Sequence, residues 1–180
     1  MFLIPGEAAP ESQCYTRSMR VGILTISDSG SRGERVDTAG PAIAALMESH
    51  GNDVSATALV PDDRDQIEAT LKLWADDDHL DVVLTTGGTG LSPRDVTPEA
   101  TLAVADKVVP GFAEAMRAAG RQKTFLADMS RGVVVVRGRT LIVNLPGSER
   151  GARENLESIL PLLPHADDQL HGDTATHHPD

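Results

Sequence analysis

Short apolar runs alternate along this chain with longer segments in which apolar residues recur at helical spacing. The short runs predict β-strands at residues 20–27, 54–60, 81–86, 133–136 and 140–145. The longer segments predict helices at residues 39–50, 63–76, 98–105 and 110–122, and a final helix that ends at Leu163 and bends near Pro161. In the second helix Ile67, Leu71 and Trp74 share one face, which predicts plain core packing for the tryptophan.

Strands and helices follow one another in alternation over most of the sequence. Such alternation is typical of a mostly parallel sheet with helices on both faces. The last two strands are separated by Arg137-Gly138-Arg139, which indicates a hairpin and therefore one antiparallel strand. The predicted fold is a three-layer, doubly wound α/β domain at residues 19–165, with a flexible N-terminal arm at residues 1–18 and a flexible C-terminal tail at residues 166–180.

Polar or glycine-rich segments follow four of the predicted strands. In open α/β sheets, ligands bind at the carboxyl ends of the strands. We therefore expect the four segments to meet at one rim of the sheet. They are Ser27-Asp28-Ser29-Gly30, Val60-Pro61-Asp62-Asp63, Thr86-Gly87-Gly88-Thr89-Gly90 and Asn144-Leu145-Pro146-Gly147-Ser148.

The loop after the third strand has the composition of an anion site. Gly87, Gly88 and Gly90 allow backbone N–H groups to approach a ligand without interference from a Cβ atom. Thr97 is the predicted N-cap of the next helix and Pro98 its first residue, and a helix N-terminus attracts phosphate. A tight turn without a ligand explains a bare Gly-Gly pair equally well. The loop has neither the Gly-Lys-Ser/Thr ending of a Walker A motif nor the spacing of a dinucleotide fold.

Two carboxylates, Asp62 and Asp95, are expected beside this loop. Such a pair can hold Mg²⁺ against phosphate oxygens, or one member can orient or deprotonate a nucleophile. For Asp62 the alternative is an N-cap on the helix that begins near Asp63. For Asp28 the alternative is a simple turn.

Composition and charge limit the function classes. A chain of 180 residues with 40% hydrophobic content suits one globular domain. The net charge of -11 argues against a nucleic-acid partner and against an anionic membrane, so an anionic substrate needs local positive potential from N–H groups, Arg or metal. The single cysteine, Cys14, together with the absence of a signal-peptide pattern or a run long enough to span a bilayer, predicts a cytoplasmic protein.

Five motifs, in chain order, carry a resemblance to a known family. They are VPD at residues 60–62, TTGGTG at 85–90, PRDVTPE at 93–99, MSR at 129–131 and NLPG at 144–147. With these motifs the chain resembles the MogA/MoaB family of molybdenum-cofactor biosynthesis over about residues 20–165. The resemblance implies a molybdopterin-binding fold and a homotrimer that adenylylates molybdopterin with Mg-ATP, releasing pyrophosphate. It also implies a molybdenum insertase as the partner that takes the product.

The resemblance assigns roles to particular residues. Asp62 and Asp95 match the catalytic aspartates that handle Mg²⁺ in the family. The family's ligand-binding loop corresponds to Gly87, Gly88, Thr89 and Gly90. The family's serine near the pterin site corresponds to Ser130, for which the alternative to ligand binding is a place in an ordinary polar loop. Four more residues are candidates for substrate or nucleotide binding because they follow predicted strands. They are Asp28, Pro146, Gly147 and Ser148.

One segment departs from the family pattern. In many active relatives Asn-Pro or Gln-Pro follows Leu-Pro-Gly, whereas Ser148-Glu149-Arg150 follows it here. In contrast, Arg94-Asp95 matches the active type rather than the MoaB-type members that carry Gly-Asp. The alternatives to an adenylyltransferase are a non-catalytic molybdopterin-binding or carrier protein and a trimeric interaction scaffold.

Overall fold

The structure, a computed structural model, describes residues 17–172. The strands are β1 (Arg20–Ile26), β2 (Asp53–Val60), β3 (Val82–Thr86), β4 (Lys107–Val108), β5 (Val134–Arg137) and β6 (Thr140–Leu145). The helices are α1 (Asp28–Ser31), α2 (Ala39–Ser49), α3 (Arg64–Lys72, extended by a π-helical turn at Leu73–Asp77), α4 (Thr97–Ala103), α5 (Pro110–Arg121), α6 (Glu149–Ile159) and α7 (Leu163–His171), with 3₁₀ turns at Phe125–Met129 and Leu160–Leu162. Within the described residues, no helix combines the length and apolar character that a membrane span requires.

The strands form one sheet in the order β2-β1-β3-β6-β5-β4. β1 is parallel to β2 and to β3, and β3 is parallel to β6. β5 is antiparallel to β6 and to β4. The predicted doubly wound α/β fold with one antiparallel hairpin strand is confirmed. Two short elements, α1 and β4, are not part of the prediction, because segments of so few residues carry no periodic pattern.

Both faces of the sheet are buried under helices. In β6, Val143 belongs to one hydrophobic cluster and Ile142 to another. Ile43 of α2 and Leu156 of α6 fill the first cluster, and Trp74 lies in the second, which confirms its predicted core position. Because alternate residues of each central strand enter different cores, these strands are mostly apolar and are buried along nearly their whole length.

The sheet has a topological switch point between β1 and β3. From β1 the chain crosses to β2 on one side, whereas β3 has β6 on the other. Loops that diverge in this way leave a crevice at the carboxyl ends of the two strands, where ligands bind in doubly wound sheets. The fold therefore locates the candidate site before any side chain is considered.

The C-terminal helix extends further than the sequence indicates. After the bend at Leu160–Leu162, α7 continues to His171. Leu163 is fully buried, and Ala166 and Leu170 pack against the first cluster. Residues 166–171, expected to be part of a flexible tail, are therefore helical because one face of this helix contacts the core. The rest of that tail, at residues 173–180, and the arm up to residue 16 lie outside the described residues.

Candidate active site

A cleft of about 330 Å³ opens at the carboxyl ends of the parallel strands. Residues from the ends of β1, β2, β3 and β6 line it, as the strand-end rule predicts. Among the candidates from the sequence, the cleft brings together Asp62, Asp95, Gly87, Gly88, Gly147 and Ser148. The other candidates lie beside the cleft or behind its wall.

The glycine loop can only be built from glycines at its first two positions. Gly87 has φ +104°, and a Cβ atom there would lie 2.2 Å from the carbonyl oxygen of Ile26. Gly88 has φ +60°, and a Cβ atom there would lie 2.3 Å from Oγ1 of Thr97. Both positive φ values favour glycine. The loop thus passes close to β1 and α4 and presents its backbone to the cleft.

Thr97 connects the loop to α4 in a way that differs from the prediction. Val96 occupies the N-cap position of α4, and Thr97 is the first helical residue. The Thr97 hydroxyl donates a hydrogen bond to the carbonyl oxygen of Gly87 (2.9 Å), and its N–H donates to that of Gly88 (3.1 Å). The predicted N-cap role of Thr97 is therefore wrong, because a tertiary contact with the loop takes its hydroxyl.

Asp62 faces the cleft and does not cap a helix. Asp63 is the N-cap of α3 and accepts a hydrogen bond from the Gln66 N–H (3.0 Å). Asp62 instead accepts a hydrogen bond from the Asp28 N–H through Oδ2 (2.8 Å). Burial raises the pKa of the Asp62 carboxyl, and the negative charges of Asp28 and Asp95 raise it further. The hydrogen bond from the Asp28 N–H and the charge of Arg94 lower this pKa, but by less. A cation at this position would offset the clustered negative charge.

Asp95 lies on the same cleft, at the end of the loop. Its Oδ2 accepts a hydrogen bond from the Ser92 N–H (2.8 Å), which closes the turn before α4. Its charge raises the pKa of the Asp62 carboxyl, so the two carboxylates interact across the cleft. Within the described residues, neither Oδ1 of Asp62 nor Oδ1 of Asp95 accepts a hydrogen bond. These two oxygens are hard donors of the kind that Mg²⁺ prefers.

Asp28 lies behind Asp62 and is not part of the cleft wall. Its carboxylate receives the guanidinium of Arg94, with contacts of 2.8 to 3.0 Å. The hydrogen bond from Arg94 lowers the pKa of the Asp28 carboxyl, outweighing partial burial. The simple-turn alternative does not describe Asp28, because it joins two loops.

Four other candidates also lie outside the cleft wall. Thr89 is buried, Gly90 contacts the carboxylate of Asp95, and the Pro146 carbonyl oxygen accepts a hydrogen bond from the Thr86 hydroxyl (2.7 Å). The Ser130 hydroxyl accepts from the Gly132 N–H at 3.3 Å. These contacts shape the cleft from behind its surface.

Arg131 clamps the glycine loop. Its N–H donates to the carbonyl oxygen of Thr89 (3.0 Å), Nε to that of Gly90 (2.7 Å) and Nη2 to that of Asp95 (2.6 Å). It also pairs with Glu99 in the first turn of α4. In the structure Arg131 satisfies backbone carbonyl groups and does not line the cleft.

One wall of the cleft was not found by sequence analysis. It consists of the loop between α1 and α2, with Arg35, Val36, Asp37 and Thr38. Asp37 accepts hydrogen bonds from the N–H groups at the start of α2 and from the Thr25 hydroxyl of β1 (2.6 Å). The only signal in the sequence was a cation, Arg35, shortly after β1. In the structure the contact between Asp37 and Thr25 holds this loop against β1 beside the cleft.

The fold and the cleft define a doubly wound α/β protein with a candidate ligand site at the carboxyl edge of its sheet. Comparison with known families is more specific, because residues 22–165 match the model of the probable molybdopterin binding domain family. The chain belongs to this family.

Two curated relatives and one solved structure illustrate the similarity. The Drosophila melanogaster molybdenum cofactor synthesis protein cinnamon is 43% identical over 83% of this chain, which spans only 25% of that protein. The molybdopterin adenylyltransferase of Haemophilus influenzae is 42% identical over 80% of this chain and 74% of its own length. The crystal structure of the molybdopterin biosynthesis enzyme MoaB from Thermus thermophilus is 56% identical with a TM-score of 0.82, covering 86% of this chain and 97% of that one.

Proposed function

We propose that the protein is a molybdopterin adenylyltransferase, which transfers the AMP group of ATP to molybdopterin during molybdenum-cofactor biosynthesis. The observation that carries this proposal is the placement of Asp62 and Asp95 on one cleft with the backbone of Gly87 and Gly88. The curated adenylyltransferases that match most of the chain at about 40% identity support the same reaction.

The proposed reaction joins two anions. A phosphate oxygen of molybdopterin attacks the α-phosphorus of ATP and forms a new P–O bond. The bond from that phosphorus to the bridging oxygen breaks, and pyrophosphate leaves with the electron pair. Both reactants are negative and the chain carries a net charge of -11, so the cleft must offset the repulsion locally.

Backbone N–H groups and one arginine supply part of this local positive potential. Within residues 17–172, the N–H groups of Gly88 and Gly147 donate no hydrogen bond, and both glycines line the cleft. Arg35 adds a cation to the lining of the same cleft. Ser148 caps α6 through the Gly151 N–H (3.2 Å), so the positive end of an eleven-residue helix also begins at the cleft.

Asp62 and Asp95 fit a magnesium ion. Each uses Oδ2 for a backbone N–H and leaves Oδ1 without a hydrogen bond in the described part of the chain. When bound, Mg²⁺ supplies positive charge against the phosphate oxygens of the nucleotide. The two aspartates orient the reacting groups through these oxygens. Burial, together with the negative charges of Asp28 and Asp95, raises the pKa of the Asp62 carboxyl, and a cation would offset that negative charge.

We also propose a homotrimer in the cytoplasm, with a molybdenum insertase as the partner that receives the product. An exposed apolar patch on the 3₁₀ turn after α5 supports self-association, because monomeric surfaces rarely expose such groups together. Its members are Phe125, Leu126 and Met129. Light scattering is expected to give about three times the chain mass of 19.1 kDa.

The decisive experiment is incubation of the purified protein with molybdopterin, ATP and Mg²⁺. We expect pyrophosphate release that depends on all three additions.

The second candidate function is that of a pterin-binding or carrier protein. It is favoured by Ser148-Glu149-Arg150 beside the cleft, where the sequence departs from the family pattern. Pterin binding at full occupancy without pyrophosphate release would select that candidate. Restoration of molybdoenzyme activity in a deletion strain by an Asp95→Asn variant would select the trimeric scaffold.

A further inference from the structure

Asp28 and Asp62 hold each other through their backbones. The Asp28 N–H donates to Oδ2 of Asp62 (2.8 Å), and the Asp62 N–H donates to Oδ1 of Asp28 (3.0 Å). Asp28 begins α1 shortly after β1, and Asp62 follows β2. This reciprocal pair joins the ends of two neighbouring strands and fixes the direction of the Asp62 side chain.

Arg94 reaches the same carboxylate from the loop after β3. Its Nε donates to Oδ2 of Asp28 (3.0 Å), and its Nη2 donates to Oδ1 (2.9 Å) and to Oδ2 (2.8 Å). Together with the Asp62 N–H, these contacts occupy about four acceptor positions, which is the capacity of an ionised carboxylate. Because Arg94 immediately precedes Asp95, the contact also ties the loop that carries Asp95 to β1 and β2.

Only the Oδ1 side of the Asp62 carboxylate, away from Asp28, is available to a ligand. Asp62 lines the cleft, whereas neither Asp28 nor Arg94 does. A Cβ atom on Gly88 would lie 3.1 Å from Oδ1 of Asp62, so this oxygen faces the glycine loop while Oδ2 is turned towards Asp28. Asp28 has no acceptor to spare and no surface on the cleft, so any effect it has on the reaction passes through Asp62 or through the loop that carries Asp95.

We propose that Asp28 and Arg94 are positioning residues: Arg94 holds Asp28, and Asp28 holds the Asp62 carboxylate in the orientation that the transfer reaction requires. The inference rests on the adenylyl transfer proposed above and deepens it. It gives Asp28 a role other than substrate binding, and it gives Arg94 a positioning role although its side chain does not line the cleft.

Two other roles predict different behaviour. The side chains of Arg94 and Asp28 are 65% and 28% exposed, and exposed ion pairs of this kind contribute little to stability. A surface contact alone would therefore leave both kcat and KM unchanged when it is broken. A substrate-binding role would raise KM with kcat unchanged, whereas misplacement of Asp62 lowers kcat at nearly constant KM.

The test compares Arg94→Gln, Asp28→Asn and the double variant with wild type. Arg121→Gln is the matched control, because Arg121 makes a similar two-nitrogen contact with Asp128 at 61% and 47% exposure, away from the cleft. Pyrophosphate release gives kcat and KM. Calorimetry with ATP in EDTA gives the nucleotide affinity without metal, and thermal unfolding reports on the fold.

We expect Arg94→Gln and Asp28→Asn each to lower kcat on the order of tenfold, with KM and ATP affinity within about twofold of wild type. The double variant should be no slower than the slower single variant, because the two residues act through one contact. Arg121→Gln should match wild type in all measurements.

A further variant separates positioning from loss of fold. Asp28→Ala also removes the acceptor for the Asp62 N–H, whereas Asn keeps it. We expect Asp28→Ala to have the lower kcat and faster hydrogen exchange at the Asp62 amide, with partial recovery of both in Asp28→Asn. Unchanged kcat in Arg94→Gln and Asp28→Asn, or a raised KM alone, would overturn this inference while leaving the proposed function intact. An inactive wild type would overturn the proposed function and this inference together.

Discussion

The backbone of Gly88 lies directly against the carboxylate of Asp62, with Oδ1 only 3.1 Å from the position that a Cβ atom would take. The same atom would lie 2.3 Å from Oγ1 of Thr97. A single methyl group here would therefore disturb a candidate catalytic side chain and the first residue of α4. The glycine links loop geometry to chemistry, which leads to the first prediction.

Gly88→Ala is expected to lower both stability and pyrophosphate release. Gly138→Ala is the matched control, because Gly138 has a similar φ of +56° but would place its Cβ atom with nothing within 4 Å. The control should lose about 1 kcal/mol of unfolding free energy from the positive φ alone, measured by urea titration. Gly88→Ala should lose roughly a further 1–3 kcal/mol from overpacking. Equal losses in the two variants would contradict the contact.

Asp95→Asn is expected to keep the fold and to lower turnover by about a hundredfold or more, as removal of an electrostatic site group does. An asparagine oxygen can still accept the hydrogen bond from the Ser92 N–H, so the turn is preserved. Asp77→Asn, at an exposed position in the π-helical turn, serves as the control for loss of one negative charge. Steady-state pyrophosphate release measures both, and an unchanged rate for Asp95→Asn would remove this residue from the mechanism.

Arg131→Lys is expected to loosen the glycine loop. A lysine ammonium cannot reproduce the guanidinium contacts to the carbonyl oxygens of Gly90 and Asp95 together with the Glu99 carboxylate. We expect a loss of about 1–3 kcal/mol in unfolding free energy, because buried acceptors are left without donors. Hydrogen exchange should increase at residues 87–95. Arg139→Lys, in the exposed hairpin turn, should show neither change.

Asp167→Asn is expected to stabilise the protein at neutral pH. Asp167 is only 4% exposed, and among the described residues its Oδ1 accepts no hydrogen bond. Burial raises the pKa of this carboxyl, the charge of Asp81 raises it further, and His171 and Arg17 oppose the shift. The folded state thus prefers the protonated carboxyl. The contribution of Asp167 to stability is fully present below the pKa that this carboxyl has in the unfolded chain, and it is lost as pH rises through the higher pKa of the folded state.

The neutral asparagine avoids that loss. At pH 7 we expect the Tm of Asp167→Asn to exceed the wild-type value by about 2–4 °C. This difference corresponds to about 1 kcal/mol of unfolding free energy for a chain of this size. The difference should shrink as pH falls towards the unperturbed value of 3.8. A difference in Tm that does not depend on pH would contradict the raised pKa. Asp168→Asn, next in sequence, is the control for the change in charge.

Much of the cleft could be predicted because strand direction follows from the alternation of strands and helices. Once β1, β2, β3 and β6 are parallel, their carboxyl ends share one edge, and Asp62 and the glycine loop must lie there. The cleft wall formed by the loop between α1 and α2 could not be predicted in this way. Arg35 lies in a loop without periodicity, which is held beside the cleft by contacts such as the hydrogen bond between Asp37 and Thr25.

The roles of single polar residues were harder to predict than their neighbourhood. The local pattern at Thr97 is typical of an N-cap, but its hydroxyl is taken by the Gly87 carbonyl oxygen. For Asp62 the sequence leaves an N-cap role open, and in the structure Asp63 takes that role instead. Short-range patterns do not distinguish such roles, because the competing partners are distant in sequence.

By itself, the sequence determined the main strands and helices, the doubly wound sheet and the edge at which Asp62, Asp95 and the glycine loop meet, because apolar periodicity is a local property and strand direction follows from the alternation of strands and helices. Only the tertiary structure decided which oxygen of Asp62 faces the cleft, that Asp28 and Arg94 stand behind it, and that Arg131 clamps the loop. Those contacts join residues tens of positions apart, and their geometry arises only when the packed sheet brings the loops together.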